Sequence, residues 1–184
     1  MKAAISSAPA RASAGFTLVE LIVTIVIVGV LAVVALPRFA DTSGYTEFTY
    51  QKRVLAALRA MQYKAMQDTR TGFCHQLNFA TGSDPAFGPA TMDYSAVNQA
   101  TTCQNTIDFS APEALRTDTG EIQADGVTMS VLDSAGTAIS SLGFDNLGRP
   151  VTADCSTASG CTITFSAQAS AAVCVTSQGW IHAC

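Results

Sequence analysis

Glu20 is the residue whose chemistry stands out. It is the one charged side chain between Phe16 and Leu36, a 21-residue run made otherwise of apolar residues, threonine and glycine. A carboxylate held in hydrocarbon is costly without a partner, so an ionisable residue inside such a run is a functional hypothesis by default. The partner that fits is a free α-amine. Cutting the chain after Gly15 places a new positive terminus on Phe16, one helical turn from Glu20 of an adjacent copy. The chemistry implied is charge pairing inside an apolar environment.

Six cysteines form the second reactive set: Cys74, Cys103, Cys155, Cys161, Cys174 and Cys184. All follow the apolar run, and an even number in an oxidising compartment reads as disulfides. Six cysteines permit 15 connectivities. Local pairing is the economical choice: Cys74–Cys103, Cys155–Cys161 and Cys174–Cys184. The spacing is not that of a metal site, and no metal is expected; His75 and His182 read as surface or strand residues. The Met61 and Met66 pair reads as packing rather than a copper site. Asp118 and Glu121 read as solvated loop charges, and Asp145-Asn146 as a turn, since the alternating ligands of a calcium loop are missing. The motifs of a serine hydrolase, a phosphate-binding loop and a zinc protease are all missing, so no catalytic residue, no enzyme activity and no cofactor are expected.

These groups need elements to carry them. At 1.5 Å per residue, Phe16–Leu36 spans about 31 Å as a helix, enough to cross a bilayer. A cleaved secretory signal has a shorter apolar core and an Ala-x-Ala site; Ala32-Val33-Val34-Ala35-Leu36-Pro37 lacks that spacing. A plain anchor leaves the buried carboxylate unexplained. Lys2 and Arg11, the only charges in 1–15, are positive, which keeps that end cytoplasmic and makes the remainder extracytoplasmic. Pro37 kinks or interrupts the helix, or persists where neighbouring helices satisfy the freed backbone.

Beyond Pro37 the pattern predicts the outer half of a long helix. Thr46–Asp68 holds neither Gly nor Pro, and Val54, Ala57, Leu58, Met61 and Ala65 share one face. Asp41-Thr42-Ser43-Gly44 is a candidate break and Gly72 a candidate C-cap. Strands are predicted at Phe73–Phe79, Thr106–Phe109, Val127–Leu132, Ser141–Phe144, Cys161–Phe165, Ala172–Thr176 and Trp180–Ala183, with 82–102 a long surface loop. The fold class is α+β, a long N-terminal hydrophobic helix packed on an antiparallel sheet. The organisation reads as a leader (1–15), a transmembrane and assembly helix (16–36), its outer half (37–71) and a β-rich globular domain (72–184). Residues 16–184 carry 8 Lys/Arg and 14 Asp/Glu, a net charge of 8 − 14 = −6, so no nucleic-acid partner is expected.

Gly15-Phe16-Thr17-Leu18-Val19-Glu20, the apolar run, Gly29 and Pro37 resemble the processing signal of type IV pilins and type II secretion pseudopilins. That resemblance implies cleavage after Gly15 by a prepilin peptidase, N-methylation of Phe16 and pairing of Glu20 with that terminus. It also implies an assembly role for Pro37, and passage from the inner membrane, through an assembly platform, into a helical filament of pilin subunits. A second resemblance, to H-type pseudopilins and FimT-like minor pilins, rests on three stretches. They are Val54–Gln62, Leu142-Gly143-Phe144-Asp145-Asn146-Leu147-Gly148-Arg149-Pro150 and Gly179-Trp180-Ile181. The closing Cys174 to Cys184 segment resembles a minor pilin of the mannose-sensitive haemagglutinin type. The function implied is a minor pilin of a type IV pilus. The alternatives are a secretion pseudopilin and a tip subunit that binds DNA or a surface.

Overall fold

The computed structural model describes residues 16–40, 45–68, 75–92, 103–151, 155 and 160–184. The chain divides into two compact units, Met1–Asp41 and Thr42–Cys184.

The described part of the first unit is helix α1, Leu18–Ala40. Its sequence is apolar all round, with no polar face to turn to water, and that is the pattern of a helix covered by lipid or by other helices. It continues through Pro37. Asp41-Thr42-Ser43-Gly44, the expected break, lies outside the described residues, as do Gly15, Gly72 and Cys74.

The second unit is built on α2, Thr46–Gln67. The expected face is the buried one: Val54, Ala57, Leu58, Met61 and Ala65, joined by Tyr50. Met66, on another side, is half exposed, so the two methionines do not form a pair. The strands are β1 (His75–Ala80), β2 (Ala86–Met92), β3 (Cys103–Ile107), β4 (Thr128–Leu132), β5 (Ser141–Phe144), β6 (Cys161–Ser166), β7 (Ser170–Val175) and β8 (Ile181–Ala183). They form two antiparallel four-stranded sheets rather than one, in the orders β3-β2-β1-β5 and β4-β6-β7-β8. α2 packs against strands of both, and one core joins them, with Leu77, Phe87, Ile122, Leu142, Ile163, Phe165 and Val173 fully buried. Phe165 stacks on Tyr50 at 5.8 Å and meets Phe87 edge-on at 6.2 Å, so one ring ties the helix to both sheets.

β2 corrects the expectation that 82–102 is all loop. Its Gly88 and Pro89 look like breakers, but Leu77 pairs with Pro89 and Asn78 with Gly88. A Cβ at Gly88 would sit 2.7 Å from Ile107 Cγ2 and 2.9 Å from Arg116 Cβ. The glycine marks a close approach within a strand, the alternative meaning of Gly in such a place. The β2–β3 register shifts between Ala90 and Met92. Buried Asn78 on β1 reaches that irregularity and donates to the Gln104 and Thr106 carbonyls at 2.7 and 2.8 Å.

Candidate assembly site at the head of the first helix

Phe16 and Thr17 precede α1, and Thr17 shapes its first turn. The Glu20 amide donates to Thr17 Oγ1 at 3.2 Å and the Leu21 amide to the Thr17 carbonyl at 3.1 Å. Thr17 therefore acts as the cap that satisfies the first free amides of the helix. Glu20 lies in the first turn, where the helix dipole favours an anion. It is exposed, and its carboxylate has no ion-pair or hydrogen-bond partner among the described residues. Around it Phe16, Leu18, Val19 and Leu21 are 58–78% exposed.

Thr24 turns its hydroxyl back to the Leu21 carbonyl at 2.8 Å, which hides its one polar group and leaves a methyl outward. Gly29 has open space where a Cβ would stand, so nothing among the described residues requires it to be small. Leu18–Ala35 has a mean hydropathy of 3.0 and is long enough to cross a membrane. The arrangement presents one anion at the end of an apolar rod. What it can do chemically is accept one cation from outside the chain.

The cysteines lie in the second unit. Cys155 is bonded to Cys161 with a Cα–Cα distance of 5.0 Å, and Cys174 to Cys184 at 5.8 Å. The second bridge joins β7 to the residue after β8, closing the strand pair on which Val175 faces Ile181. Cys103 is also disulfide-bonded, and Cys74, its expected partner, lies outside the described residues. Among the described residues no cluster of three or more His, Cys, Asp or Glu is placed to hold a metal.

His75 lies on β1, with Nε2 3.0 Å from Asp68 Oδ2. His182 lies on β8, and its ring stacks on Trp180 at 3.7 Å. Asp145 organises a turn: Oδ1 accepts from the Leu147 and Arg149 amides at 2.9 and 2.8 Å. Burial alone would raise this carboxyl, but the backbone and guanidinium bonds from Arg149 outweigh it and hold the group below its ordinary range.

Asp118 is exposed, as expected of a solvated loop charge, whereas Glu121 is tied to α2 and corrects that reading. Asp118 pairs with Arg116 and Glu121 with Arg53 of α2. Burial opposes the Glu121 charge, yet the Arg53 bond and the Asp118 amide hold the carboxyl below its usual value. Polar side chains of α2 that periodicity assigns to no site anchor it as well. Buried Glu47 accepts from the Ala169 amide at 2.8 Å, and that bond is the main reason its carboxyl is held low. Gln62 Nε2 donates to both the Gly148 and Gly179 carbonyls, at 2.7 and 2.6 Å, clasping two turns. The signal for Gln62 was two glycine turns with carbonyls to satisfy, but nothing in the sequence says that the two turns meet.

The model of the prokaryotic N-terminal methylation motif matches residues 10–36. Two fimbrial proteins of Pseudomonas aeruginosa are each 34% identical over 56 residues, covering 30% of this chain and 36% of the relative. The chain thus spans about a third of the length of the curated relatives it matches. No solved structure matches it. Residues 10–36 thus carry the prokaryotic N-terminal methylation motif, at the head of an α+β chain.

Proposed function

We propose that this chain is a structural subunit, a minor pilin, that joins or initiates a type IV pilus of the mannose-sensitive haemagglutinin type. The prepilin peptidase cuts after Gly15 and N-methylates Phe16. The subunit waits as a single-pass inner-membrane protein, N-terminus cytoplasmic, until the assembly platform moves it into the filament. There Glu20 accepts the Phe16 amine of a neighbouring subunit, and Pro37 shapes the helix where it leaves the bundle. The single observation that carries this reading is the lone carboxylate at the head of an exposed apolar helix, without an intrachain partner among the described residues. A buried ion pair is weak as a source of stability but effective in setting register, because an unpaired charge in that position is strongly disfavoured.

The role is structural; the chemistry at Phe16 belongs to the peptidase. A secretion pseudopilin is the second reading, favoured by the stretches at Leu142–Pro150 and Gly179–Ile181, while six cysteines favour the pilus.

The test is incorporation. Glu20→Ala should leave the chain processed and in the membrane but absent from filaments sheared from the cell surface. Wild-type amounts of that variant in the sheared fraction contradict the pairing role.

A further inference from the structure

The side of α2 opposite its core face is one continuous stripe. Tyr45, just before the helix, is followed by Phe48, Lys52, Arg59, Tyr63 and Met66 at spacings of three, four, seven, four and three. At 3.6 residues per turn those spacings keep all six on one line of the surface. All six are exposed, Tyr45 and Tyr63 by more than 60%.

The stripe carries two cations and no carboxylate. The one acid in α2, Glu47, is buried and bonded to the Ala169 amide. Lys52 has no ion-pair partner among the described residues, and Arg59 meets a neutral acceptor, the Ile181 carbonyl at 3.0 Å. Both charges therefore stand unanswered, unlike Arg53, which lies off the stripe and is paired with Glu121. Residues 16–184 have the opposite balance, 8 Lys/Arg against 14 Asp/Glu, or 8 − 14 = −6. The positive charge of this face is thus segregated from an acidic whole.

Aromatic rings beside Lys and Arg on one exposed helix face suit the interfacial layer of a bilayer. The rings sit at headgroup depth, and the long cationic side chains reach lipid phosphates. The chain also supplies proximity. Tyr45 comes ten residues after the Leu18–Ala35 span, so at about 3.5 Å per residue the head of the stripe is tethered within about 35 Å of the membrane.

We infer that this face of α2 rests on an anionic phospholipid surface while the subunit waits in the membrane. Phosphates meet Lys52 and Arg59, and the Phe48 and Tyr63 rings enter the headgroup layer. The field that draws the stripe in repels the acidic remainder, so the surface orients the domain as well as holding it. The inference rests on the single-pass anchoring reading and adds a docking surface for the domain that follows the anchor.

The chain from Phe16 to Cys184, reconstituted in vesicles of equal parts phosphatidylcholine and phosphatidylglycerol, tests it. A photo-crosslinking benzophenone side chain placed at Phe48 should give lipid adducts. The same group at Leu132, exposed on β4 between inward-facing neighbours, should not. Vesicles of phosphatidylcholine alone should lower the Phe48 yield. Lys52→Gln should lower it about five-fold, the effect of removing one cation at an anionic surface, and Lys52→Arg should keep it. Lys52 is exposed and unpaired, so its replacement leaves the fold intact. Equal lipid yields at Phe48 and Leu132 overturn the docking surface, as does a Phe48 yield indifferent to phosphatidylglycerol and to Lys52. So do Phe48 adducts to protein in place of lipid. Each of these, in a chain that stays in the vesicles through an alkaline wash, sinks this inference alone. Release of the chain by that wash sinks the anchoring reading itself.

Discussion

α1 and α2 are helices of similar length, 23 and 22 residues, with opposite relations to the rest of the chain. α2 is amphipathic. It buries Tyr50, Val54, Ala57, Leu58, Met61 and Ala65 against two sheets and sends Glu47, Gln51, Arg53, Arg59 and Gln62 to backbone or side-chain partners. α1 is apolar on every side, and its Leu18–Ala35 span buries nothing within the chain. The lesson is where each element finds its free energy. α2 is stabilised by its own fold. The apolar span of α1 must be covered from outside, by lipid or by other helices, and Glu20 has no partner among the described residues.

The sharpest break in that comparison is at the processing site. Gly15→Val should abolish cleavage and, with it, filament incorporation; immunoblots should show only the longer precursor. Next comes paired truncation of the two helices. Leu58→Ala leaves a void among fully buried neighbours and should destabilise the globular unit by roughly 2–5 kcal/mol in denaturant unfolding. Leu31→Ala on α1 should change that transition by less than about 0.5 kcal/mol, because Leu31 is an exposed residue. Equal effects from the two would erase the distinction.

Opening the Cys174–Cys184 bridge by replacing both cysteines with serine should cost about 2–4 kcal/mol in the same assay, chiefly by freeing the unfolded chain. Gly179→Ala should cost roughly 1–3 kcal/mol: φ is +84°, and the added methyl would collide with the Gly148 carbonyl that Gln62 also holds.

The smallest expected effect is a pH dependence. The Ala169 amide holds Glu47 below the ordinary carboxylate value of 4.5. A depressed folded-state value means its contribution is present above the unfolded value and is lost as pH falls through the folded one. Glu47→Gln should flatten the acid limb of a stability–pH curve, and an unchanged limb would remove Glu47 from the account.

The same contrast explains what was legible in the sequence. α1 could be read from residue types alone, since an unbroken apolar run containing one acid has few physical meanings. The core face of α2 followed from its period, and β5 from its place between two turns, with bounds at Ser141–Phe144. Features that depend on distant neighbours were hidden. Gly88 and Pro89 signalled a loop because the crowding by Ile107 and Arg116 that demands a glycine comes from other segments. Glu121 resembled a solvated charge because its partner Arg53 is remote in sequence. The α+β class was legible, but single-strand patterns do not say which strands pair, so the division of the strands into two sheets was hidden. At the candidate assembly site the residue types were visible, whereas the cap by Thr17 is a matter of local geometry.

The most direct test of the central claim, that the apolar helix begins as a processed and modified terminus, is the N-terminal mass of the membrane-extracted protein. In cells with an active prepilin peptidase, the account predicts a chain that starts at Phe16 and carries one added methyl group on its amine. An intact Met1–Gly15 leader, or a terminus created near Ala35, would contradict it.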